Sequence, residues 1–184
     1  MALLTLAEAK AQLDIDGTGQ DAELQVYVDA LTATIERHVG PVEIRTVSEV
    51  VDGRAALVLT QAPAVSLTSL TPLMTAGLAV SVGEVFLDGD SGVVRRLDGA
   101  VFTGGPWRAV YEAGRGAVPP TINLAARILL QHLWRTQYGA SRGLSGIGGG
   151  DDFNVTEAVP GWGYAIPNRV LQLLEPYKVP AGVA

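Results

Sequence analysis

Apolar residues recur at helical spacing over the first forty residues of the chain. Thr5 followed by Glu8 forms a capping box and predicts the start of a short helix. Asp21 is the residue expected to cap a second helix, and Gly40-Pro41 is a strong signal for its end. The predicted inward face of this second helix is apolar and consists of Leu24, Tyr27, Val28, Leu31 and Ile35.

The segment from Val118 to Gly139 is the best candidate for the centre of the core. Pro119 and Pro120 stand where the first turn of a helix tolerates proline, Thr121 offers a cap or first-turn oxygen, and Gly139 is placed to end the helix. One apolar face contains Ile122, Ala125, Ala126, Leu129 and Leu133, and a second apolar line contains Leu130 and Trp134. A helix with two apolar sides is covered on more than one side.

Between these helical segments the apolar period changes to two. Short apolar or alternating runs at 43–52, 55–60, 63–70, 79–87, 93–97 and 107–111 are separated by Gly and Asp turns. Such spacing predicts a small sandwich or barrel. The sequence therefore predicts an α+β fold, in which a small helical bundle carries an inserted antiparallel β-sandwich or barrel-like domain and a C-terminal helix on a glycine-rich linker.

This pattern divides the chain into four parts. Residues 1–41 and 117–139 are the expected helical core, 42–116 the inserted β domain, 140–165 a flexible glycine-rich linker, and 166–184 a C-terminal helix and tail. A long stretch without secondary structure inside a compact domain is normally functional or disordered. The apolar side of the C-terminal helix is formed by Val170, Leu171, Leu173, Leu174 and Tyr177.

Charge changes this picture by excluding some classes of protein. The net charge is −6, and residues 1–44 hold eight acidic and two basic side chains, so the whole excess lies there. A nucleic-acid reader would show a basic patch, and none is visible.

No apolar run approaches the roughly 20 residues of a membrane-spanning helix, and no signal peptide opens the chain. The absence of cysteine rules out a disulfide framework and fits a cytosolic origin.

Two short segments resemble ligand-binding loops without matching them. Asp14-x-Asp16-Gly17 begins like a calcium loop, but position twelve is Gln25 rather than a bidentate Glu. It is interpreted as a turn between helices. The glycines at 146–150 neither follow a strand nor open a helix, so they predict a flexible loop rather than a phosphate-binding one.

No combination of side chains predicts catalysis. His38 and His132 are the only histidines, and neither lies in a recognisable triad or metal-binding context. Ser141 and Ser145 likewise lack an identifiable base. We therefore predict no catalytic residue, no cofactor and no metal site, and hence a protein that is not an enzyme.

Several segments in a fixed order carry a family resemblance. They are Leu4-Thr5-Leu6-Ala7-Glu8-Ala9-Lys10-x-x-Leu13, His38-Val39-Gly40, Val110-Tyr111-Glu112-Ala113-Gly114-Arg115-Gly116, Val118-Pro119-Pro120, Ala125-x-x-x-Leu129-Leu130-x-x-Leu133-Trp134 and Ile166-Pro167-x-x-Val170-x-x-Leu173-Leu174-x-x-Tyr177. Together they cover nearly the whole chain. The chain resembles the head-tail connector, or adaptor, proteins of long-tailed bacteriophages and related prophages.

The resemblance implies a structural virion protein assembled in the host cytoplasm. Such adaptors form a homo-oligomeric ring, usually of twelve subunits, beneath the portal protein at the capsid vertex. DNA passes through the lumen without specific binding. The other side of the ring receives the stopper, head-completion or tail protein. A net-negative chain agrees with this role, because a basic lumen would bind phosphates.

The resemblance also implies which residues meet partners. In such adaptors the C-terminal segment engages the portal, which here corresponds to Ile166, Val170, Leu171, Leu173, Leu174 and Tyr177. Closure of a ring needs head-to-tail interfaces. Leu130 and Trp134, on the second apolar side of the Val118 helix, are the predicted ring-interface residues, unless both are simply core.

A second hypothesis is a small β-domain binding module for a host surface or carbohydrate. Exposed aromatic side chains on the β segment would favour it, and those available are Phe86, Phe102, Trp107 and Tyr111. Their exposure therefore discriminates between the two functions.

Overall fold

The computed structural model describes residues 3–75, 77–135 and 166–179, which form two compact units. Residues 3–35, 119–135 and 166–176 make up the helical unit; residues 36–118, without 76, and 177–179 make up the β unit. The first boundary thus falls after residue 35, where the sequence suggested 41. The proposed 140–165 linker, Gly139 and the tail after Val179 lie outside the described residues.

The helical unit begins with α1 (Leu6–Leu13), whose capping box is present as predicted. The Thr5 hydroxyl accepts a hydrogen bond from the backbone N–H of Glu8 (3.2 Å), and the Glu8 carboxylate accepts one from the N–H of Thr5 (2.9 Å). These bonds lower the pKa of Glu8. Asp14 ends the helix in the left-handed conformation, with φ at 54°.

The second helix, α2, spans Asp21–Val39 and continues from the helical unit into the β unit. Its predicted apolar face is buried at Leu24, Val28, Leu31 and Ile35, with Tyr27 half-buried. Asp21 is the first residue of the helix rather than its cap. Its carboxylate instead pairs with the Lys10 ammonium at 2.7 Å, which links α2 to α1.

The third helix, α3, spans Pro120–Leu133, and Pro119 precedes it without a side-chain cap. Thr121 therefore lies inside the first turn. Four residues of the predicted first apolar face are buried, Ile122, Ala125, Ala126 and Leu129, as is Leu130 of the second. Leu133, also predicted on the first face, is half-buried. Arg127 fastens α3 to α1 through the Glu8 carboxylate at 3.1 Å. The last helix, α4 (Asn168–Leu174), packs against α3 and is followed by a 3-10 turn, Glu175–Tyr177.

The β unit contains two three-stranded antiparallel sheets. The first has the order β1-β6-β3, and its strands are β1 (Arg45–Val51), β3 (Ala64–Pro72) and β6 (Trp107–Ala113). The second has the order β2-β5-β4, and its strands are β2 (Leu57–Val58), β4 (Val85–Asp88) and β5 (Val93–Arg96). β6 is central, and β3 pairs with it through two register shifts.

The inner faces of the two sheets share one hydrophobic cluster. Trp107 and Tyr111 are its largest fully buried side chains, and the Phe102 ring meets Trp107 edge-on at 5.6 Å between centroids. Leu57 from β2 and Val94 from β5 belong to the same cluster. An α+β fold with antiparallel sheets is therefore confirmed.

Two predicted strands are shorter than the sequence indicated. The apolar run at 55–60 forms a ladder only at Leu57–Val58. The alternating run at 79–87 is interrupted by a 3-10 turn, Val82–Glu84, where the N–H of Glu84 bonds the Ser81 carbonyl at 2.9 Å. β4 therefore begins at Val85, because the alternation of apolar and polar residues before it does not by itself show that the backbone is extended.

Candidate assembly surfaces

The predicted portal-contact residues divide into buried and accessible groups. Val170 and Leu174 are fully buried, at 0% and 2% exposure, on the side of α4 that belongs to the core of the helical unit. Ile166, Leu171, Leu173 and Tyr177 are half-buried. α4 therefore packs on its own unit through Val170 and Leu174, whereas the flexible linker predicted before it would leave the helix only loosely tethered.

Arg115 holds residues 177–179 within the β unit. One terminal nitrogen of its guanidinium, Nη2, donates to the Val39 carbonyl (2.7 Å) and to the Tyr177 carbonyl (2.8 Å). The Tyr177 ring lies 5.4 Å from the guanidinium carbon, a cation–π distance. The N–H of Val179 donates to the His38 carbonyl at 3.3 Å. Residues 177–179 are thus tied to the end of α2 by side-chain and backbone contacts.

Arg115 also has an unusual environment. Burial lowers the pKa of its guanidinium, and its Nε has no hydrogen-bond partner among the described residues. Gly114 and Gly116 flank it with φ of 137° and 71°. A Cβ on Gly114 would lie 2.2 Å from the Glu43 carbonyl oxygen, so only glycine allows the backbone to turn here and present the arginine. Sequence reasoning missed this residue, although the Gly-Arg-Gly sequence marks the turn.

The predicted ring-interface residues lie inside the helical unit. Leu130 is fully buried, and Trp134 is 9% exposed. The Trp134 ring packs edge-on against Tyr27 of α2, with centroids 5.4 Å apart. The second apolar side of α3 is therefore covered by other residues of the same chain. Leu130 and Trp134 are core residues of the helical unit, which is the alternative to a ring interface.

The aromatic residues of the β segment do not form an exposed platform. Phe102, Trp107 and Tyr111 are buried, and Phe86 alone of the four is exposed. Burial raises the pKa of Tyr111, whose hydroxyl donates to the Glu49 carboxylate at 2.9 Å and accepts from the N–H of Gln61 at 3.1 Å. The observation that would favour a carbohydrate-binding module is therefore missing from the described residues.

Within the described ranges, no group of three or more His, Cys, Asp or Glu side chains is placed to hold a metal ion. Asp14 instead ends α1, with its N–H bonded to the Lys10 carbonyl. None of the helices that the structure describes is long and apolar enough to cross a bilayer.

The comparison with known families decides what kind of protein this is. The family described as head completion protein matches residues 2–179. This chain belongs to the head completion protein family. Its role is structural, at the connection between the head and the tail of a phage particle. The sequence-based recognition of a head-tail connector is thereby confirmed.

Solved structures show that the fold is shared with neck proteins. A chain from the "neck of empty GTA particle computed with C6 symmetry" is 20% identical, with a TM-score of 0.62 and coverage of 97% of this chain and 91% of that one. A chain from the "neck of native GTA particle computed with C12 symmetry" is 22% identical, with a TM-score of 0.61 and coverage of 96% and 88%. Comparison with curated proteins finds no match.

Proposed function

We propose that this head completion protein forms a ring, of twelve copies, that docks beneath the portal protein and receives the stopper or tail-completion protein on its other side. The observation that carries the proposal is the family match over residues 2–179. The likeness to neck chains over 96–97% of this chain supports it, because those particles were computed with C6 and C12 symmetry. The finished ring is a virion component assembled in the host cytoplasm.

The portal contact is made by residues 166–177 in this proposal. Val170 and Leu174 hold α4 against α3, so the docking surface is the rest of the helix. Leu171 and Leu173 remain partly accessible, as do Ile166 and Tyr177. A short helix held by its own unit that leaves Leu171 and Leu173 partly accessible beside its buried face fits a groove on a partner, because little ordering entropy is lost on binding.

The ring contact is heterologous, since a closed ring joins two different surfaces of each subunit. Leu130 and Trp134 do not touch the neighbouring subunit in this proposal. As buried residues they hold in place the part of the surface of the helical unit that covers them, and that surface makes the contact. DNA passes through the lumen without being bound. The net charge of −6 supports this, because phosphates are repelled by a net-negative chain and no excess of Arg or Lys offsets the repulsion. The chain performs no catalysis.

Co-sedimentation with portal-bearing capsids that lack their connector tests the portal contact. Leu171→Asp places a charge on the proposed docking side and is expected to reduce capsid-bound protein at least tenfold. Val26→Asp introduces the same charge at an exposed apolar residue of α2, outside residues 166–177, and serves as the matched control. Both variants must retain the thermal transition of the natural chain. Equal binding by both variants would contradict the proposed portal surface.

A further inference from the structure

A single half-buried arginine joins the end of α2 to the residues that follow α4. Nη2 of Arg115 donates to the Val39 carbonyl at 2.7 Å and to the Tyr177 carbonyl at 2.8 Å. Both acceptors are backbone atoms, so the two bonds depend on where the two segments lie and not on their side chains. Arg115 therefore fixes the backbone of Tyr177 against the last residue of α2.

The same guanidinium orients the side chain of Tyr177. Its central carbon lies 5.4 Å from the centroid of the Tyr177 ring, and the negative face of an aromatic ring attracts a cation at this distance. Tyr177 is only half-buried, so part of its ring stays accessible to a partner. One arginine thus holds both the backbone and the ring of a residue that belongs to the proposed portal surface.

The backbone around Arg115 is itself held in place. The N–H of Gly114 donates to the Pro63 carbonyl at 2.9 Å, and the N–H of Arg115 donates to the Val42 carbonyl at 3.4 Å. Together with the positive φ of Gly114, these bonds set the direction in which the arginine side chain leaves the turn. The guanidinium is therefore presented to Val39 and Tyr177 by a turn that is already formed.

A second contact holds the same segment two residues later. The N–H of Val179 donates to the His38 carbonyl at 3.3 Å. A Cβ on Gly40 would lie 3.0 Å from Cγ2 of Val179, which is closer than such atoms normally approach. The absence of a side chain at Gly40 therefore gives Val179 the room to lie against the end of α2.

Arg115 is poorly suited to a role in stability alone. Removing a guanidinium from water is costly unless the charge is well paired. Among the described residues Arg115 forms no salt bridge, and its Nε has no hydrogen-bond partner. A neutral donor would satisfy a carbonyl with less desolvation. What arginine adds is a planar, rigid group that fixes a carbonyl and an aromatic ring of Tyr177 together, which is a way of setting a conformation.

The segment that Arg115 holds continues directly from α4. The 3-10 turn Glu175–Tyr177 begins at the residue after Leu174, the last residue of the helix. The proposed portal segment, residues 166–177, therefore ends at the residue that Arg115 fixes. A segment that is already held in its binding conformation loses less conformational freedom on docking and binds more tightly.

We propose that Arg115 is a positioning residue for the portal contact and holds Tyr177 in the orientation in which residues 166–177 dock. The inference rests on the proposed portal surface and adds to it a residue that lies outside the docking segment. Arg115 acts through Tyr177 and makes no contact with the portal itself. Portal binding should therefore weaken when the bonds to Val39 and Tyr177 are lost, although every residue of the docking segment is unchanged.

Co-sedimentation of full-length Arg115→Lys with portal-bearing capsids that lack their connector tests this role. Lysine keeps the positive charge but lacks the planar group that donates to both carbonyls and faces the ring. Capsid-bound protein is expected to fall about tenfold, because the docking segment must then be ordered on binding. Circular dichroism at the assay temperature verifies that the variant is folded.

Tyr111→Phe is the matched control for a loss of stability in the β unit. It removes the hydrogen bond that the Tyr111 hydroxyl donates to Glu49 and the one that it accepts from Gln61, and it leaves Arg115 and Tyr177 unchanged. Its capsid binding is expected to equal that of the natural chain. An equal loss of binding in both variants would show that binding follows the stability of the β unit, and would overturn the positioning role.

Hydrogen exchange distinguishes positioning from direct contact with the portal. The amide of Val179 should exchange faster in free Arg115→Lys than in the natural chain. Weaker capsid binding with unchanged exchange would mean that Arg115 touches the portal, and would overturn the proposal. Val179→Pro, which removes only the N–H donated to His38, should also weaken binding. If Arg115→Lys does not fold, unchanged binding by Val179→Pro overturns the proposal instead.

The natural chain separates failure of this inference from failure of the proposed function. Equal sedimentation of the natural chain and Arg115→Lys with capsids would overturn the positioning role and leave the portal contact intact. A natural chain that does not sediment with the capsids would contradict the portal contact, and the inference would fail with it.

Discussion

The two units of the chain present different surfaces. Among the described residues, the large exposed apolar side chains of the helical unit are Val26 and Leu124. The β unit exposes Ile44, Val50, Val65, Leu73, Met74, Leu78, Phe86, Leu97 and Val101. The helical unit therefore exposes few large apolar side chains, whereas the β unit exposes many. The side of α3 that the sequence suggested as a ring interface is core, and the apolar side of α4 is divided between buried and half-buried residues.

The largest expected effect concerns the core of the helical unit. Leu129→Ala should lower the free energy of unfolding by about 2–5 kcal/mol, because it leaves a cavity at a fully packed position of α3. Leu124→Ala on the same helix is the matched control and should cost less than about 1 kcal/mol, because Leu124 is exposed. Denaturant unfolding measures both. Equal destabilisation would mean that α3 is not the centre of this unit.

A smaller effect is expected where Arg115 holds residues 177–179 within the β unit. Arg115→Lys keeps the positive charge but loses the planar group that donates to the carbonyls of Val39 and Tyr177. The free energy of unfolding should fall by about 1.5–3 kcal/mol, the contribution of a hydrogen bond from a charged group. Faster hydrogen exchange at the amide of Val179 would locate the loss. Arg108→Lys, on the exposed face of β6, should change neither quantity. Unchanged exchange in the Arg115 variant would show that other contacts hold the segment.

The smallest expected effect is at the surface of the helical unit. Glu8→Ala removes the capping box of α1 and should cost about 0.5–1 kcal/mol at neutral pH. The pKa of Glu8 is lowered in the folded state, so its contribution is present above the unfolded pKa and is lost as the pH falls through the folded pKa. The difference between the two proteins should therefore vanish in acid. Asp16→Ala, in an exposed turn, should leave stability within about 0.5 kcal/mol at both pH values.

Local signals in the sequence predicted the helices well. The capping box at Thr5, the buried face of α2 and the prolines before α3 depend on residues close together in the chain, and the structure contains all three. Strand ends were less accurate, because the alternating sequence at 79–87 runs through the 3-10 turn Val82–Glu84 and does not show where strand pairing begins. The order of the short motifs along the chain indicated a head-tail connector protein, and the match to the head completion protein family confirmed this.

The candidate surfaces were harder to predict for a physical reason. The apolar side of α4 has the same pattern whether its own unit or a partner covers it, and only the structure shows Val170 and Leu174 buried. Arg115 donates hydrogen bonds to the backbone carbonyls of Val39 and Tyr177. Because every residue has a backbone carbonyl, the identities of these two residues do not indicate the contact. Residues 55–83 contain no charged side chain, but the exposure of Met74 and Leu78 within this stretch is a property of the fold.

Electron microscopy of the purified chain mixed with its portal tests the central claim most directly. The account predicts rings with regular rotational symmetry, twelvefold for the proposed copy number, seated coaxially on one face of the portal. Image averages would show an open central channel. Monomers scattered without attachment to the portal, or rings that never bind it, would contradict the assignment of this chain to the junction beneath the portal.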